Sequence, residues 1–208
     1  MRRRIFTRRS LLLLAGLAMS SAALAPARAE ATLTPADRGW IGRIQETLNQ
    51  ITTLRARFEQ IAPDGQRTTG VVWLSRPGRM RFAYDKPSPL LLVANDGKVV
   101  FRDEQLDQTT EIPIDRTPLG LLLGAHIVLS GDVTVTGFSH ENGLLRLSVV
   151  RTATPGEGTL IMFFDEKPLA LRSWIVVDAQ GRQTQVSLSQ IVPGVATPDA
   201  LFALPHAE

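Results

Sequence analysis

The sequence contains no cysteine among its 208 residues. This absence excludes disulfide bonds, thiolate nucleophiles and metal sites built from cysteine ligands. It also excludes a lipid anchor attached through a cysteine side chain. We therefore expect an exported form of this chain to be soluble.

Histidine is nearly as scarce, and only His126, His140 and His206 are present. None of the three has a second histidine at a spacing typical of a metal site, so we expect no metal and no cofactor. The chain also lacks a G-x-S-x-G elbow, a P-loop and a G-x-G-x-x-G loop. These absences predict that the protein is not an enzyme.

Acidic residues are plentiful near the middle of the chain, and a glycosidase would need two of them as an acid–base pair. We interpret them instead as the solvent-facing end of a hairpin, because runs of charge usually face water. The residues concerned are Asp103, Glu104, Asp107 and Glu111.

Positive charge is concentrated at the N-terminus. The formal net charge is +3, yet six of the 23 basic residues lie in the first 29 residues, which contain no acid. Without that segment, 17 basic residues stand against 20 acidic ones, a net charge of −3. A mildly acidic chain has no electrostatic basis for binding nucleic acid.

Residues 1–29 have the order of a cleavable signal peptide. The basic stretch MRRRIFTRRS leads into the apolar run LLLLAGLAMSSAALA and a small-x-small site at residues 27–29. That run is too short and too interrupted to span a membrane. Residues 7–12, TRRSLL, resemble a twin-arginine signal, which leaves two export routes open. We expect a single domain over residues 30–208, located in the periplasm.

Residues 34–51 predict an amphipathic helix. Thr34 can cap it, Pro35 suits its first turn, and Asp37 lies where an acidic side chain is favourable. An apolar stripe at helical spacing must pack against another element. The stripe consists of Ile41, Ile44, Leu48 and Ile51.

From Thr52 onward the pattern is that of strands. Alternation predicts a strand over about residues 54–61, although Ile51 and Phe58 are a heptad apart and also permit a longer helix. Some ten or eleven such segments follow, separated by short turns, which predicts one strongly curved antiparallel sheet. Residues 117–130, TPLGLLLGAHIVLS, are apolar almost all round and predict a short buried helix. We expect this helix and the first one to cover the concave side of the sheet.

Apolar side chains recur along the predicted strands. Ordinary core packing is the simplest interpretation of any one stripe. A curved sheet of this length, however, encloses more volume than two short helices obviously fill, and an apolar void binds apolar ligands. The predicted lining of this cavity is Ile44, Phe58, Trp73, Met80, Phe82, Tyr84, Leu121, Leu122, Met162, Phe164, Leu171 and Trp174.

Arg76 stands at a predicted strand end, in the sequence WLSRPGRMRF. A surface turn is the ordinary interpretation of an Arg-Pro pair. A partly buried guanidinium would instead have to donate hydrogen bonds to carbonyls or acids. If those carbonyls belong to the covering helices, Arg76 would latch a lid to the sheet with ~1.5–3 kcal/mol.

The segments LNQITTLRARFEQ, GVVWLSRPGRMRFAYDKP and LLVANDGKVVFRDEQLDQTTEIPIDRTPLGLLLG resemble the periplasmic outer-membrane lipoprotein carrier family, the LolA type. The likeness continues in LALRSWIVVDAQGRQTQVSLSQI and covers about residues 41–204. It implies an incomplete antiparallel β-barrel with a helical lid over a hydrophobic cavity. That cavity receives the acyl chains of lipoproteins.

The resemblance also implies site residues and partners. The lid arginine of the family corresponds to Arg76 and its helix partner to Leu48, while Met80 occupies a position implicated in docking to the transporter. Family members often have an aromatic residue there and a tryptophan at the place of Phe82. The implied partners are acylated lipoproteins, an inner-membrane lipoprotein-releasing ABC transporter and an outer-membrane lipoprotein receptor. The carrier itself is expected to be a monomer.

Three alternatives stay open at this point. A paralogous carrier would bind another lipid, such as a glycolipid or a hopanoid. A regulator of the same fold would sense mislocalised lipoproteins. A lipid hydrolase would need an acid pair or a Ser-His contact inside the cavity.

Overall fold

The computed structural model describes residues 31–205, so the expected signal peptide and His206 lie outside the described residues. Helix α1 spans Pro35–Gln50. Its N-terminus has the predicted cap, because Thr34 Oγ1 accepts a hydrogen bond from the Asp37 N–H and the Asp37 carboxylate accepts one from the Thr34 N–H. This reciprocal pair satisfies two backbone donors that a helix start leaves free.

Eleven strands follow α1 in the described chain. They are β1 (Thr53–Ile61), β2 (Arg67–Ser75), β3 (Arg79–Tyr84), β4 (Leu90–Asn95), β5 (Lys98–Asp103), β6 (Gln108–Pro113), β7 (Val133–Glu141), β8 (Leu144–Arg151), β9 (Gly158–Glu166), β10 (Leu169–Asp178) and β11 (Gln183–Pro193). Four short 3-10 helices accompany them, at Ile114–Arg116, Pro118–Leu122, Pro155–Glu157 and Asp199–Phe202.

All eleven strands form one antiparallel sheet in the order β6-β5-β4-β3-β2-β1-β11-β10-β9-β8-β7. Strands β6 and β7 lie at opposite ends of this order, so the sheet stays open along their free edges. The prediction of a mainly β protein with ten or eleven antiparallel strands in an unclosed sheet is confirmed. No helix in the described part of the chain is long and apolar enough to cross a membrane.

One face of the sheet, here called the inner face, is covered by α1 and by residues 118–129. These two pieces are together called the lid. The main core lies between the lid and the inner face and includes the fully buried residues Ile44, Leu48 and Phe164. The apolar stripe of α1 therefore packs as its spacing predicts.

The second lid piece corrects a prediction. Residues 117–130 do not form one short helix, because a 3-10 helix covers only Pro118–Leu122 and the chain beyond it is irregular. Gly120 explains part of this geometry, since a Cβ there would lie 2.2 Å from the Ile114 carbonyl oxygen. Farther on, Ile127 and Leu129 are buried while Val128 between them is 52% exposed, the alternation of an extended chain.

The opposite face, here called the outer face, carries a smaller cover at residues 194–203, the C-terminal cover. Its 3-10 helix Asp199–Phe202 contacts β3 and β4. Phe202 is fully buried, and the Arg79 guanidinium lies 5.3 Å from its ring centroid. Asn95 Nδ2 donates a hydrogen bond to the Phe202 carbonyl oxygen at 3.2 Å. The outer face is thus covered where β3 and β4 lie.

Candidate functional site

Arg76 follows the last residue of β2 and joins both pieces of the lid to the sheet. Its Nε donates a hydrogen bond to the Leu122 carbonyl oxygen at 2.8 Å. Its Nη1 donates a second hydrogen bond to the Leu48 carbonyl oxygen. One guanidinium therefore bonds α1 and the 3-10 helix of the second lid piece at the same time.

The acceptors explain why an arginine suits this position. Leu48 lies in the last turn of α1, where its carbonyl oxygen accepts the Ile51 N–H at 3.3 Å and has a second lone pair for the guanidinium, and where the helix dipole favours a cation. Burial lowers the pKa of Arg76 to about 10, which leaves the guanidinium charged at neutral pH. Its hydrogen bonds offset the cost of burying that charge.

The turn after Arg76 adds backbone bonds that sequence reasoning missed. The Arg76 N–H donates to the Thr52 carbonyl oxygen at 2.8 Å, and the Gly78 N–H donates to the Leu123 carbonyl oxygen at 2.8 Å. Gly78 has φ +74°, a conformation that favours glycine. The sequence RPG was the available signal, since it combines a turn residue with the required glycine.

The space beneath Arg76 is small and apolar. Its volume is about 30 Å³, room for roughly one water molecule. Its lining is Leu48, Ile51, Leu54, Val72, Leu74, Arg76, Met80, Leu122, Leu171, Trp174 and Leu188. In this conformation side chains fill most of the space that this lining encloses, and a ligand larger than a few water molecules would not fit there unless the lining moves.

Most of the predicted cavity residues lie in the core beneath the lid. Nine are buried there and two, Tyr84 and Leu121, are partly buried against it. Their role in binding cargo stays a prediction. The nine are Ile44, Phe58, Met80, Phe82, Leu122, Met162, Phe164, Leu171 and Trp174.

Trp73 is the exception, and its predicted place in the cavity is wrong. Because side chains alternate along β2, the buried neighbours Val72 and Leu74 face the lid while Trp73 lies on the outer face. There the Arg55 guanidinium lies 5.9 Å from the Trp73 ring centroid. Val72 and Leu74 line the cavity instead, and strict alternation would have identified them.

Leu171 and Trp174 share the inner face for a reason that alternation cannot supply. Three residues apart on a regular strand, they would point to opposite faces. The pairing of β10 with β9 shifts register between Leu171 and Ser173, which places Arg172 in a bulge. The bulge brings both apolar side chains to the cavity.

Met80 is only 2% exposed and lines the cavity beside Arg76. The role in partner docking that the resemblance implies for this position is therefore compatible only with an opened lid. In the closed conformation no partner reaches its side chain.

An apolar groove of about 300 Å³ lies next to the cavity, between the end of α1 and strands β10 and β11. Ile51, Leu54, Leu171 and Leu188 line both the groove and the cavity. Ile191, at the groove surface, is 39% exposed. The groove thus continues the buried apolar space to the surface, a feature that sequence reasoning missed.

Tyr84 packs against the aromatic pair Phe58 and Phe82 of the core. Its ring meets the Phe58 ring edge-on at 5.2 Å, and its hydroxyl donates to Gln60 Oε1 at 3.0 Å. Burial raises the pKa of Tyr84 to about 12.

No group of three or more metal-binding side chains occurs within residues 31–205.

Comparison with known proteins gives this geometry a family. The family model described as "Outer membrane lipoprotein carrier protein LolA" matches residues 49–205. The chain belongs to this family. Membership in the LolA family bears out the predicted resemblance and supports a protein that is not an enzyme.

Curated relatives agree with the assignment to the LolA family. An outer-membrane lipoprotein carrier protein of Leptothrix cholodnii is 31% identical over 172 residues, covering 78% of this chain and 79% of the relative. A protein of the same name from Pseudomonas fluorescens is 29% identical over 190 residues, covering 86% and 90%. Among solved structures, a LolA superfamily protein from Nitrosomonas europaea has a TM-score of 0.41 at 10% identity, covering 78% of this chain and 96% of its own.

Proposed function

We propose that this LolA-family protein is a periplasmic chaperone that binds the acyl chains of lipoproteins released from the inner membrane and delivers them to the outer membrane. The observation that carries the proposal is the single guanidinium of Arg76, which fastens both lid pieces over an apolar interior. An enzyme would place reactive groups there, whereas this interior offers aliphatic and aromatic surface.

The energetics suit a carrier. Each methylene buried from water contributes ~0.8 kcal/mol, so a long acyl chain left in water costs on the order of 10 kcal/mol. The latch of Arg76 consists of two charged hydrogen bonds, worth roughly 1.5–3 kcal/mol each before the cost of burying the guanidinium. Burial of cargo can therefore offset opening of the lid, and re-forming the latch favours release.

The groove at Ile191 is the proposed entry. An acyl chain lying in it would contact Leu171 and Leu188 and would reach the cavity as α1 lifts from β10 and β11. The chain then replaces contacts between core side chains, so little apolar surface meets water at any stage.

Two partners would act at the beginning and the end of this transfer. We propose that an inner-membrane lipoprotein-releasing ABC transporter supplies the work of loading, and that an outer-membrane lipoprotein receptor accepts the cargo from a monomeric carrier. Met80 becomes available to the transporter when the lid is open. Residues 1–29 would serve as the signal that exports the chain.

The test is native mass spectrometry of the protein from residue 30 onward, mixed with a triacylated lipoprotein and then with a receptor lipoprotein. The wild type should form a one-to-one soluble complex and pass its cargo on. Arg76→Leu should accept cargo but retain it, because the closed lid no longer gains the latch bonds. Arg55→Leu, the same change on the outer face, is the matched control and should behave as wild type.

Two results would count against the proposal. Normal transfer by Arg76→Leu would remove the latch from the mechanism. A wild type that forms no complex with the lipoprotein, but carries a co-purified glycolipid or hopanoid, would favour a paralogous carrier of that lipid.

A further inference from the structure

Two amide side chains join α1 directly to the second lid piece, without involving the sheet. Asn49 Nδ2 donates to the Ile127 carbonyl oxygen at 2.9 Å, and Asn49 Oδ1 accepts from the Ile127 N–H at 2.8 Å. One turn earlier in α1, Gln45 Oε1 accepts from the Leu129 N–H at 2.8 Å. The three bonds span 78 to 84 residues of sequence.

The spacing of these bonds matches a helix to an extended chain. Residues four apart on a helix share a face and lie about 6 Å apart along its axis. Residues two apart in an extended chain lie roughly 6.6 Å apart and point the same way. Gln45 and Asn49 therefore meet Leu129 and Ile127 in register, as a neighbouring strand would.

The backbone groups of Ile127 and Leu129 that accept and donate these bonds are shielded from water. Ile127 is 5% exposed and Leu129 is 8% exposed, with both side chains in the main core. Buried backbone donors and acceptors without partners are costly, so this segment depends on the two amides of α1. Moving α1 alone would break all three bonds.

We propose that Asn49 is a positioning residue that makes the two lid pieces open as one body, with Gln45 supporting it. Arg76 bonds the pieces through two separate carbonyls, and Gly78 bonds only the second piece, so once these bonds open each piece could move independently unless something joins them. Asn49 supplies that joint with a donor and an acceptor on one residue. The consequence for cargo rests on the proposed carrier function, while the joint itself does not.

Paired spin labels test the joint, and the lack of native cysteine leaves only the chosen sites labelled. Cysteines would be introduced two at a time at three sites: Gly42 on α1, Val128 on the second lid piece and Gln183 on β11. At Gly42 an added Cβ meets open space. In an Arg76→Leu protein, both distances from lid to sheet should broaden while the Gly42–Val128 distance stays narrow. In Arg76→Leu combined with Asn49→Leu, the Gly42–Val128 distance should broaden as well.

Controls keep the outcome clear. Glu46→Leu, an exposed change on the same helix, should leave the Gly42–Val128 distance narrow in the Arg76→Leu background. Gln45→Leu offers a milder loss if the Asn49 variant does not fold, and it should broaden that distance partly. A broad Gly42–Val128 distance with Asn49 intact overturns the inference, as does a narrow one in the double variant. Unmoved distances from lid to sheet in Arg76→Leu also overturn it.

No cargo enters this measurement, so its result does not depend on lipoprotein binding. A joint that behaves as expected in a protein that binds no lipoprotein would contradict the proposed function alone. A carrier whose lid pieces separate would contradict the joint alone.

Discussion

The lid and the C-terminal cover lie on opposite faces of the same sheet and are held in different ways. The lid packs a stripe of apolar side chains into the main core and is bonded to the rim of the sheet through its backbone carbonyls, by Arg76 and Gly78. The C-terminal cover is held by one fully buried side chain, Phe202, by the hydrogen bond from Asn95 to the Phe202 carbonyl oxygen and by an ion pair between Arg79 and Asp199.

Both covers bury apolar side chains, and exposing a large one to water costs ~1.5–3 kcal/mol. The lid buries several, among them Ile44 and Leu48, whereas the cover buries Phe202. Without cargo the lid is therefore the costlier of the two to lift. The proposed apolar cargo would lower that cost, since it would replace the contacts that the lid gives up, and the hydrogen bonds of Arg76 would remain as the part of the attachment that cargo does not replace.

The largest expected effect on the free energy of unfolding comes from removing the Phe202 ring, which packs the C-terminal cover onto the sheet. Phe202→Ala should lower the free energy of unfolding by ~3–5 kcal/mol, because it removes a buried ring and leaves a cavity. Urea denaturation followed by circular dichroism measures this change. Leu106→Ala, at a residue that is 63% exposed, should change stability little. A loss below ~1 kcal/mol for Phe202→Ala, on the scale of a surface substitution, would contradict a packed cover.

Replacing Arg76 should change the free energy of unfolding less than replacing Phe202. Arg76→Leu should lower the free energy of unfolding by less than ~2 kcal/mol, since the lost hydrogen bonds are offset by relief of a buried charge. Hydrogen exchange at the amides of Gly78, Ile127 and Leu129 should nevertheless speed up strongly, because the lid opens more often. Unchanged exchange at these amides would show that Arg76 does not hold the lid.

The effect that is smallest at neutral pH is the contribution of Tyr84 ionisation, which changes stability only under alkaline conditions. Tyr84 is the one tyrosine of the chain, so the ultraviolet absorbance of its phenolate reports on this site alone. Its pKa should be about 12 in the folded protein and near its ordinary value of 10 in urea. Since the unfolded chain then loses the proton first, stability should fall as pH rises from 10 to 12.

Tyr84→Phe supplies the control for that titration, because it removes both the absorbance change and this part of the pH dependence. A folded-state pKa near 10 would indicate that water reaches the ring, and the core beneath the lid would then be less dry than its burial suggests.

Local pattern predicted much of the fold. The cap at Thr34, the apolar stripe of α1 and the alternation of β1 each depend on residues within one turn or one strand, so sequence alone reveals them. The error at Trp73 is local as well, since strict alternation along β2 places this side chain on the outer face even though its apolar character suggests the core. The bulge at Arg172, by contrast, is visible only in the pairing of β10 with β9.

The same distinction between local features and features set by tertiary contacts applies to the candidate site. The sequence RPG, a local feature, marks the turn at Arg76, while the pairing of Arg76 with Leu48 was implied by the family resemblance alone. Asn49, Gln45 and the groove at Ile191 went unnoticed, since nothing in their local sequence distinguishes them from surface polar or edge residues.

By itself, then, the sequence determined where chain segments become helix or strand, which of their faces are apolar and, through the absence of cysteine, which chemistry is excluded. Only the tertiary structure decided what those faces and polar groups meet. Arg76 reaches carbonyls 28 and 46 residues away, and Arg79 reaches Asp199 across 120 residues. Periodicity constrains neighbours within a few residues, whereas partners across such separations are selected by how the whole sheet and its two covers pack.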